Sequence, residues 1–111
     1  MYEYSGKVLK VIDGDTIEAQ IDLGFDIFTV KRVRLANIDA PEVRTKNKEE
    51  KLAGKKAKNR LIEIFQQNND RFVLKSLGIG KFGRCLGEVI VNNQSVSKLL
   101  LEENLATEYK K

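Results

Sequence analysis

The feature that most constrains the fold is a change in the spacing of apolar residues partway along the chain. Residues 16–23 alternate between apolar and polar side chains, which is typical of a half-buried strand. From about residue 48 to residue 67, apolar residues instead recur every three or four positions, which indicates a helix with one buried face. Strand-like runs return at 72–77 and 84–91. The chain is therefore predicted to place a helix between two groups of strands.

The complete predicted order is three strands, a helix, two strands and a short final helix. The first strand ends at a tight-turn signal, Asp13-Gly14, and a third apolar run extends from Phe25 to Leu35. This order fits a five-stranded OB-fold β-barrel, an α+β but mainly β fold with its helix between strands 3 and 4. A simpler α+β sheet fits the same order, so the pattern leaves both architectures open. With 111 residues and no repeats or linkers, one domain is expected over residues 1–111.

The composition excludes several kinds of chemistry. The sequence has no histidine, so imidazole acid–base catalysis, His-ligated zinc and Ser–His–Asp triads are excluded. Its single cysteine, Cys85, cannot form an intramolecular disulfide and is interpreted as a small apolar strand residue. A net charge of +4 favours an anionic partner such as nucleic acid. The sequence as written has no signal peptide or membrane-span pattern, so we expect an intracellular, cytoplasmic protein. A monomer is expected because it is the default for a small domain of this kind. Secretion from a longer precursor is left open.

Four acidic residues lie at predicted turns and strand ends: Asp13, Asp15, Asp39 and Glu42. Aspartate is common in turns, and Asp13 fits that role. Asp15 and Asp39 fit it less well, because each flanks a strand that should be partly buried, where an unpaired carboxylate is costly. Two such carboxylates close together would repel unless a cation lay between them. Oxygen ligands suit a hard ion such as Ca²⁺ or Mg²⁺, and the extended conformation of Ala40 before Pro41 could direct its carbonyl to that ion.

Two arginines complete the set of candidate site residues. Arg34 lies near the end of the third predicted strand, and Arg84 opens the fifth strand after a glycine-bearing loop. Most arginines are simply solvated at the surface. Beside a metal, however, planar guanidinium groups can bind phosphate oxygens in bidentate fashion and stabilise the charge that develops during in-line attack. The sequence therefore predicts a phosphate site that combines two carboxylates, a metal and two arginines.

Three sequence blocks carry a resemblance to a known family. The blocks are Val11–Thr16, Val33–Glu42 and Lys81–Gly87. In order and spacing they resemble the signature blocks of staphylococcal nuclease-like (thermonuclease) domains, and the resemblance covers almost the whole chain. It implies the OB-fold barrel and a calcium-dependent nuclease that hydrolyses phosphodiester bonds of DNA or RNA. The family breaks the bond to the 5′ oxygen and leaves a 3′ phosphate.

The resemblance also implies a role for each matching residue. Asp15, Asp39 and the carbonyl of Ala40 would be metal ligands for Ca²⁺. Glu42 would orient or deprotonate the attacking water. Arg34 and Arg84 would bind the scissile phosphate and stabilise the pentacoordinate state. Substrate contacts are implied for three further residues: Lys81, Phe82 and Tyr109.

The chain departs from the family pattern at a few positions. Ala40 replaces the usual Thr, which leaves the main-chain oxygen available as a ligand. Phe82 replaces the usual Tyr, which removes a hydroxyl but keeps a ring that can stack on a base. Ser97 replaces the Asn that is common in the last helix, so a buried hydrogen-bond network is expected to differ.

The sequence also allows two alternatives to a nuclease. One is a catalytically inactive nuclease-like module, but such copies typically lose the acidic ligands or the arginines, and this chain keeps all five. The other is a non-catalytic OB-fold module that binds single strands without a metal. Such a surface usually has several exposed aromatic residues and few carboxylates. Here Asp15, Asp39 and Glu42 would repel phosphate unless a cation were present.

Overall fold

The computed structural model describes residues 2–79 and 84–109 of the chain. The elements in chain order are β1 (Tyr2–Asp13), β2 (Thr16–Asp22), β3 (Phe28–Leu35), β4 (Ile38–Asp39), α1 (Lys48–Gln66), β5 (Arg71–Ile79), β6 (Cys85–Val91), β7 (Gln94–Ser95), α2 (Val96–Glu102) and β8 (Thr107–Glu108). The order of three strands, a helix, two strands and a helix agrees with the prediction. The short strands β4, β7 and β8 were not predicted, because two residues are too few to show an alternating pattern.

The long strands form a closed barrel. They are ordered β3-β2-β1-β5-β6, with antiparallel neighbours, and β3 then pairs with β6 in parallel to close the barrel. The closing ladder joins Val33–Leu35 to Cys85–Gly87. Helix α1 connects the third and fourth strands of this barrel. The predicted OB-fold is therefore confirmed, and the alternative of a simpler open sheet is wrong.

The core fills the barrel and the space beneath α1. The inward-facing residues Ile17, Ala19, Val33 and Leu35 are fully buried, as strand alternation requires. Leu61 and Phe65 of α1 are also fully buried, and the Phe65 ring packs against Phe72 with 5.7 Å between ring centroids. Cys85 is half-buried in β6 and packs against this core, in agreement with its predicted apolar role.

Helix α1 begins and ends at signals that the sequence shows. The side chain of Asn47 accepts hydrogen bonds from the main-chain N–H groups of Glu49 and Glu50, which caps the first turn. Positive φ angles at Asn69 and Asp70 turn the chain away after the last turn. Neither described helix is long and apolar enough to cross a bilayer.

The buried face of α1 differs from the predicted one in its first half. The helical spacing of apolar residues predicts that Ala53, Ala57 and Leu61 face the core, with Leu52 beside them. In the structure Ala53 is exposed, and Gly54 is buried in its place. Leu52, placed beside that face, is 69% exposed. The periodicity identified Ala57 and Leu61 correctly, and it missed Gly54 because a glycine adds no apolar side chain to the pattern.

The hairpin between β2 and β3 shows where apolar alternation fails to predict burial. Leu23, Ile27 and Val30 lie in predicted strand runs but are 46%, 56% and 54% exposed. Strand β3 begins at Phe28 rather than at Phe25, because Phe25 has a positive φ of 54° in the turn. The apolar pattern thus continues past the point where the barrel core ends.

Ser97 in α2 provides a buried link between this helix and the end of β3. Its Oγ donates a hydrogen bond of 2.8 Å to the main-chain oxygen of Ala36, and both residues are almost fully buried. Ser97→Ala should lower the free energy of unfolding by about 1–3 kcal/mol, because the buried carbonyl loses its donor. Urea unfolding measures this change. The exposed Ser5→Ala serves as the control and should stay within about 0.5 kcal/mol of wild type. Equal effects of the two substitutions would contradict the prediction.

Candidate active site

The turn between β1 and β2 carries the first candidate ligand. Asp13 pairs with Thr16, so Gly14 and Asp15 form a two-residue hairpin turn. Asp15 Oδ1 accepts a hydrogen bond of 2.9 Å from Thr16 Oγ1, and Oδ2 accepts one of 3.0 Å from the main-chain N–H of Ala40. Asp15 is only 8% exposed. Its carboxylate is therefore fixed by the turn on one side and by the chain after β4 on the other.

Arg34 lies directly across the β2–β3 ladder from this turn. It pairs with Thr16 in β2. Its Nη2 atom is 3.7 Å from Asp15 Oδ2 and 3.5 Å from Asp39 Oδ1, and its Nη1 atom donates to the main-chain oxygen of Leu35 at 3.3 Å. One guanidinium group thus lies between the two carboxylates that were predicted to need a cation. These distances are long for ion pairs, so the two carboxylates orient the Arg34 guanidinium only weakly.

Tyr109 is brought to the same place by the small β4–β8 sheet. Ile38 pairs with Glu108, and the main-chain N–H of Tyr109 donates to the main-chain oxygen of Asn37 at 3.0 Å. The Cζ atom of Arg34 lies 4.8 Å from the centre of the Tyr109 ring, a cation–π geometry. The half-exposed Tyr109 therefore lies beside the predicted phosphate-binding arginine.

The segment after β4 carries the remaining acidic candidates. Asp39 ends β4 with its side chain 61% exposed, Ala40 is buried, and Glu42 is exposed. The main-chain N–H of Val43 donates to Asp13 Oδ1 at 3.2 Å. Asp13 was assigned to turn chemistry, and this contact was missed because no local pattern relates positions 30 apart.

Arg84 immediately precedes β6, the strand that pairs with β3 at the barrel closure. The next residue, Cys85, pairs with Val33, which precedes Arg34. Arg84 is half-buried and makes no ion pair with the described parts of the chain. The two predicted arginines are thus carried by adjacent strands of the barrel closure. Lys81 and Phe82, the other predicted substrate contacts, lie outside the described residues.

Asp15 and Asp39 supply carboxylate oxygens, the type of ligand that a hard divalent cation prefers. Oxygens of Asp15 and Asp39 both lie near the same nitrogen of Arg34. The two carboxylates therefore face one position, which a positively charged group already occupies. Within residues 2–79 and 84–109, no three acidic, cysteine or histidine side chains cluster as a metal site. A cation held here would therefore take further oxygens from the main chain and water, as the open shell of Ca²⁺ allows.

The closed barrel, with Arg34 beside Asp15 and Asp39, defines the class of protein to which the chain belongs. An OB-fold barrel is a common nucleic-acid scaffold, and guanidinium groups suit phosphate. The chain belongs to the family of staphylococcal nuclease homologues, which matches residues 32–111, more than half of its length. This matched range includes the two arginines, Asp39 and Glu42, whereas Asp15 precedes it.

Three relatives are similar to the chain over most of its length. The chain is 26% identical over 117 residues to the micrococcal nuclease of Shigella flexneri, covering 97% of this chain and 60% of that protein. It is 33% identical over 96 residues to Protein ParB of Escherichia coli, covering 86% of this chain and 47% of that protein. It is 35% identical over 109 residues to endonuclease YhcR of Bacillus subtilis (strain 168), covering 92% of this chain and 8% of that protein. The chain thus spans less than two thirds of the length of each of these relatives.

Proposed function

We propose that the protein is a calcium-dependent nuclease that hydrolyses phosphodiester bonds in DNA or RNA, breaking the bond to the 5′ oxygen and leaving a 3′ phosphate. The observation that carries the proposal is the Arg34 guanidinium, which lies between the carboxylates of Asp15 and Asp39. Family membership and relatives named as nucleases support it.

The charge balance of the site favours a metal. Asp15, Asp39 and Glu42 contribute three negative charges, and the two arginines, Arg34 and Arg84, offset two of them. A phosphodiester adds another negative charge, so the site would repel its substrate without a further cation. Asp15, Asp39 and the main-chain oxygen of Ala40 would hold Ca²⁺. When bound, the ion supplies charge neutralisation and a template for the substrate.

The protein side chains bind the phosphate, stabilise its developing charge and orient the attacking water. Arg34 exchanges its long carboxylate contacts for phosphate oxygens, and Arg84 binds the same phosphate from the adjacent strand. Both stabilise the charge that develops as water attacks phosphorus and the bond to the 5′ oxygen breaks. Glu42 is exposed and therefore free to orient that water or accept its proton. The leaving oxygen is protonated from solvent.

Cleavage should require Ca²⁺ and should be poorly supported by Mg²⁺. Two carboxylates and a carbonyl on turns suit the loose Ca²⁺ shell better than the strict octahedron of Mg²⁺. The measurement is degradation of heat-denatured DNA with Ca²⁺, with Mg²⁺ and with excess chelator.

Three results, two from the degradation assay and one from a gel-shift assay, would count against the proposal. Equal rates with the two ions would contradict the ion preference, and undiminished cleavage in chelator would contradict the metal requirement. DNA that is bound in a gel-shift assay but never cut under any of these conditions would support the alternative of a non-catalytic OB-fold binding module.

A further inference from the structure

We infer that Asp13 and Gly54 are positioning residues that fix the main chain on both sides of Glu42, and that they thereby place its carboxylate for reaction. The inference rests on the proposed function, because it gives a mechanistic meaning to the position of Glu42. It assigns roles to two residues that carry no chemistry of their own toward the substrate.

The first contact comes from the end of β1. Asp13 Oδ1 accepts the hydrogen bond from the main-chain N–H of Val43, the residue immediately after Glu42. Val43 is half-buried, so this N–H has limited access to water. The same hairpin carries Asp15, whose Oδ2 accepts from Ala40 two residues before Glu42. One turn therefore holds the segment at points before and after Glu42.

The second contact comes from helix α1, where Gly54 is buried against the same segment. A Cβ atom at Gly54 would lie 2.6 Å from the main-chain oxygen of Glu42, 2.7 Å from its carbonyl carbon and 2.9 Å from the main-chain oxygen of Pro41. All three atoms belong to the main chain, so no side-chain rotation can relieve the overlap. Glycine is among the least favourable residues inside a helix. Its presence here allows the helix to touch the Glu42 peptide.

A third close approach joins the turn to the same helix. A Cβ atom at Gly14 would lie 2.6 Å from Ala57 Cβ and 3.0 Å from Ala40 Cβ. The φ angle of Gly14 is not positive. Glycine is therefore required at this position because it has no side chain, and not because of its conformational freedom. The β1–β2 turn, the 40–43 segment and α1 thus meet at Gly14 with only the methyl side chains of Ala40 and Ala57 between them.

The Glu42 side chain itself adds little restraint. It is exposed, and its carboxylate has no hydrogen-bond or ion-pair partner among residues 2–79 and 84–109. The position of the carboxylate therefore depends on the main chain that Asp13 and Gly54 hold. A small displacement of a reacting group is enough to lose much of the rate.

Gly54→Ala tests the helix contact. The single-turnover rate should fall roughly ten- to a hundredfold, as expected for a displacement of about 1 Å. Substrate affinity should change by less than about threefold, because the phosphate contacts of Arg34 and Arg84 are untouched. The matched control is Gly6→Ala, whose Cβ would lie 2.4 Å from Phe72 Cζ in the core. It should lower stability but keep the rate near wild type when assayed well below its melting temperature.

Asp13 is tested by a pair of substitutions. Asp13→Asn keeps an oxygen acceptor for Val43 and should retain most of the rate, whereas Asp13→Ala should lose about as much as Gly54→Ala. Hydrogen exchange of the Val43 amide in the metal-free protein gives a readout that does not depend on cleavage. The exchange should be faster in Asp13→Ala and in Gly54→Ala, and near wild type in Asp13→Asn and Gly6→Ala.

The inference is overturned if Gly54→Ala cleaves like wild type, or if Asp13→Asn loses as much as Asp13→Ala, which would assign Asp13 a role through its charge. It is also overturned if Val43 exchange is unchanged in Asp13→Ala and Gly54→Ala. A wild-type protein that does not cleave nucleic acid would overturn the proposed function alone. The Val43 exchange would still decide whether the two residues fix the segment.

Discussion

Asp15→Ala and Asp39→Ala should both lose metal-dependent cleavage, but only Asp15→Ala should unfold more easily. Removing Asp15 leaves the buried N–H of Ala40 without its acceptor, which costs about 1–3 kcal/mol. Asp39 has a side chain that is 61% exposed and only one long contact to Arg34, so its removal should change stability by less than about 0.5 kcal/mol.

Asp15→Asn separates the two roles of this carboxylate. The amide oxygen can still accept from Ala40 and should recover most of the stability, whereas the lost charge should keep cleavage abolished. Urea unfolding of the metal-free proteins and cleavage with Ca²⁺ provide the two measurements. Near-normal cleavage in any of these variants would remove that aspartate from the set of ligands.

Replacing Arg84 or Arg34 with lysine should lower the single-turnover rate by roughly a hundredfold or more, the effect of losing one charge-stabilising donor. Lysine keeps the charge but loses the planar fork that matches phosphate oxygens. Substrate affinity should change much less, because the general positive charge of the protein remains.

The two substitutions should differ in stability. Arg34 contacts both carboxylates, the main-chain oxygen of Leu35 and the Tyr109 ring, so Arg34→Lys should cost about 1 kcal/mol. Arg84 has no ion pair with the described residues, and Arg84→Lys should stay within about 0.5 kcal/mol of wild type. Thermal unfolding beside single-turnover cleavage tests both statements. Wild-type turnover in Arg84→Lys would show that charge alone suffices at that position.

The sequence predicted the parts of this protein that depend on local pattern. The alternation of 16–23 and the helical period of α1 identified the barrel strands and the helix with small errors at their ends. The ligand candidates Asp15 and Asp39 lie in contiguous blocks beside strands, and the structure brings both to Arg34. Their proposed binding of a metal remains a prediction.

The parts that the sequence did not predict depend on contacts between distant segments. Asp13 reaches Val43 only because the hairpin turn and the 40–43 segment meet in the barrel. Gly54 contributes nothing to a hydrophobic pattern, yet it decides how closely α1 approaches Glu42. Conversely, Val30 continues a strand pattern and is still 54% exposed, because burial depends on what packs above a strand and not on alternation alone.

The β4–β8 pairing has a consequence for the order in which the candidate site is assembled in a newly made chain. Asp39 pairs with Thr107, whose Oγ1 also donates to the main-chain oxygen of Asp39 at 3.3 Å. Chains emerge from the ribosome N-terminus first, at roughly 5–20 residues per second. The last barrel strand, β6, ends at Val91, so the barrel strands become available about one to three seconds before residue 107 does, and until then Asp39 lacks this support. The small β4–β8 sheet that supports Asp39 is therefore completed only after all the strands of the barrel have been made.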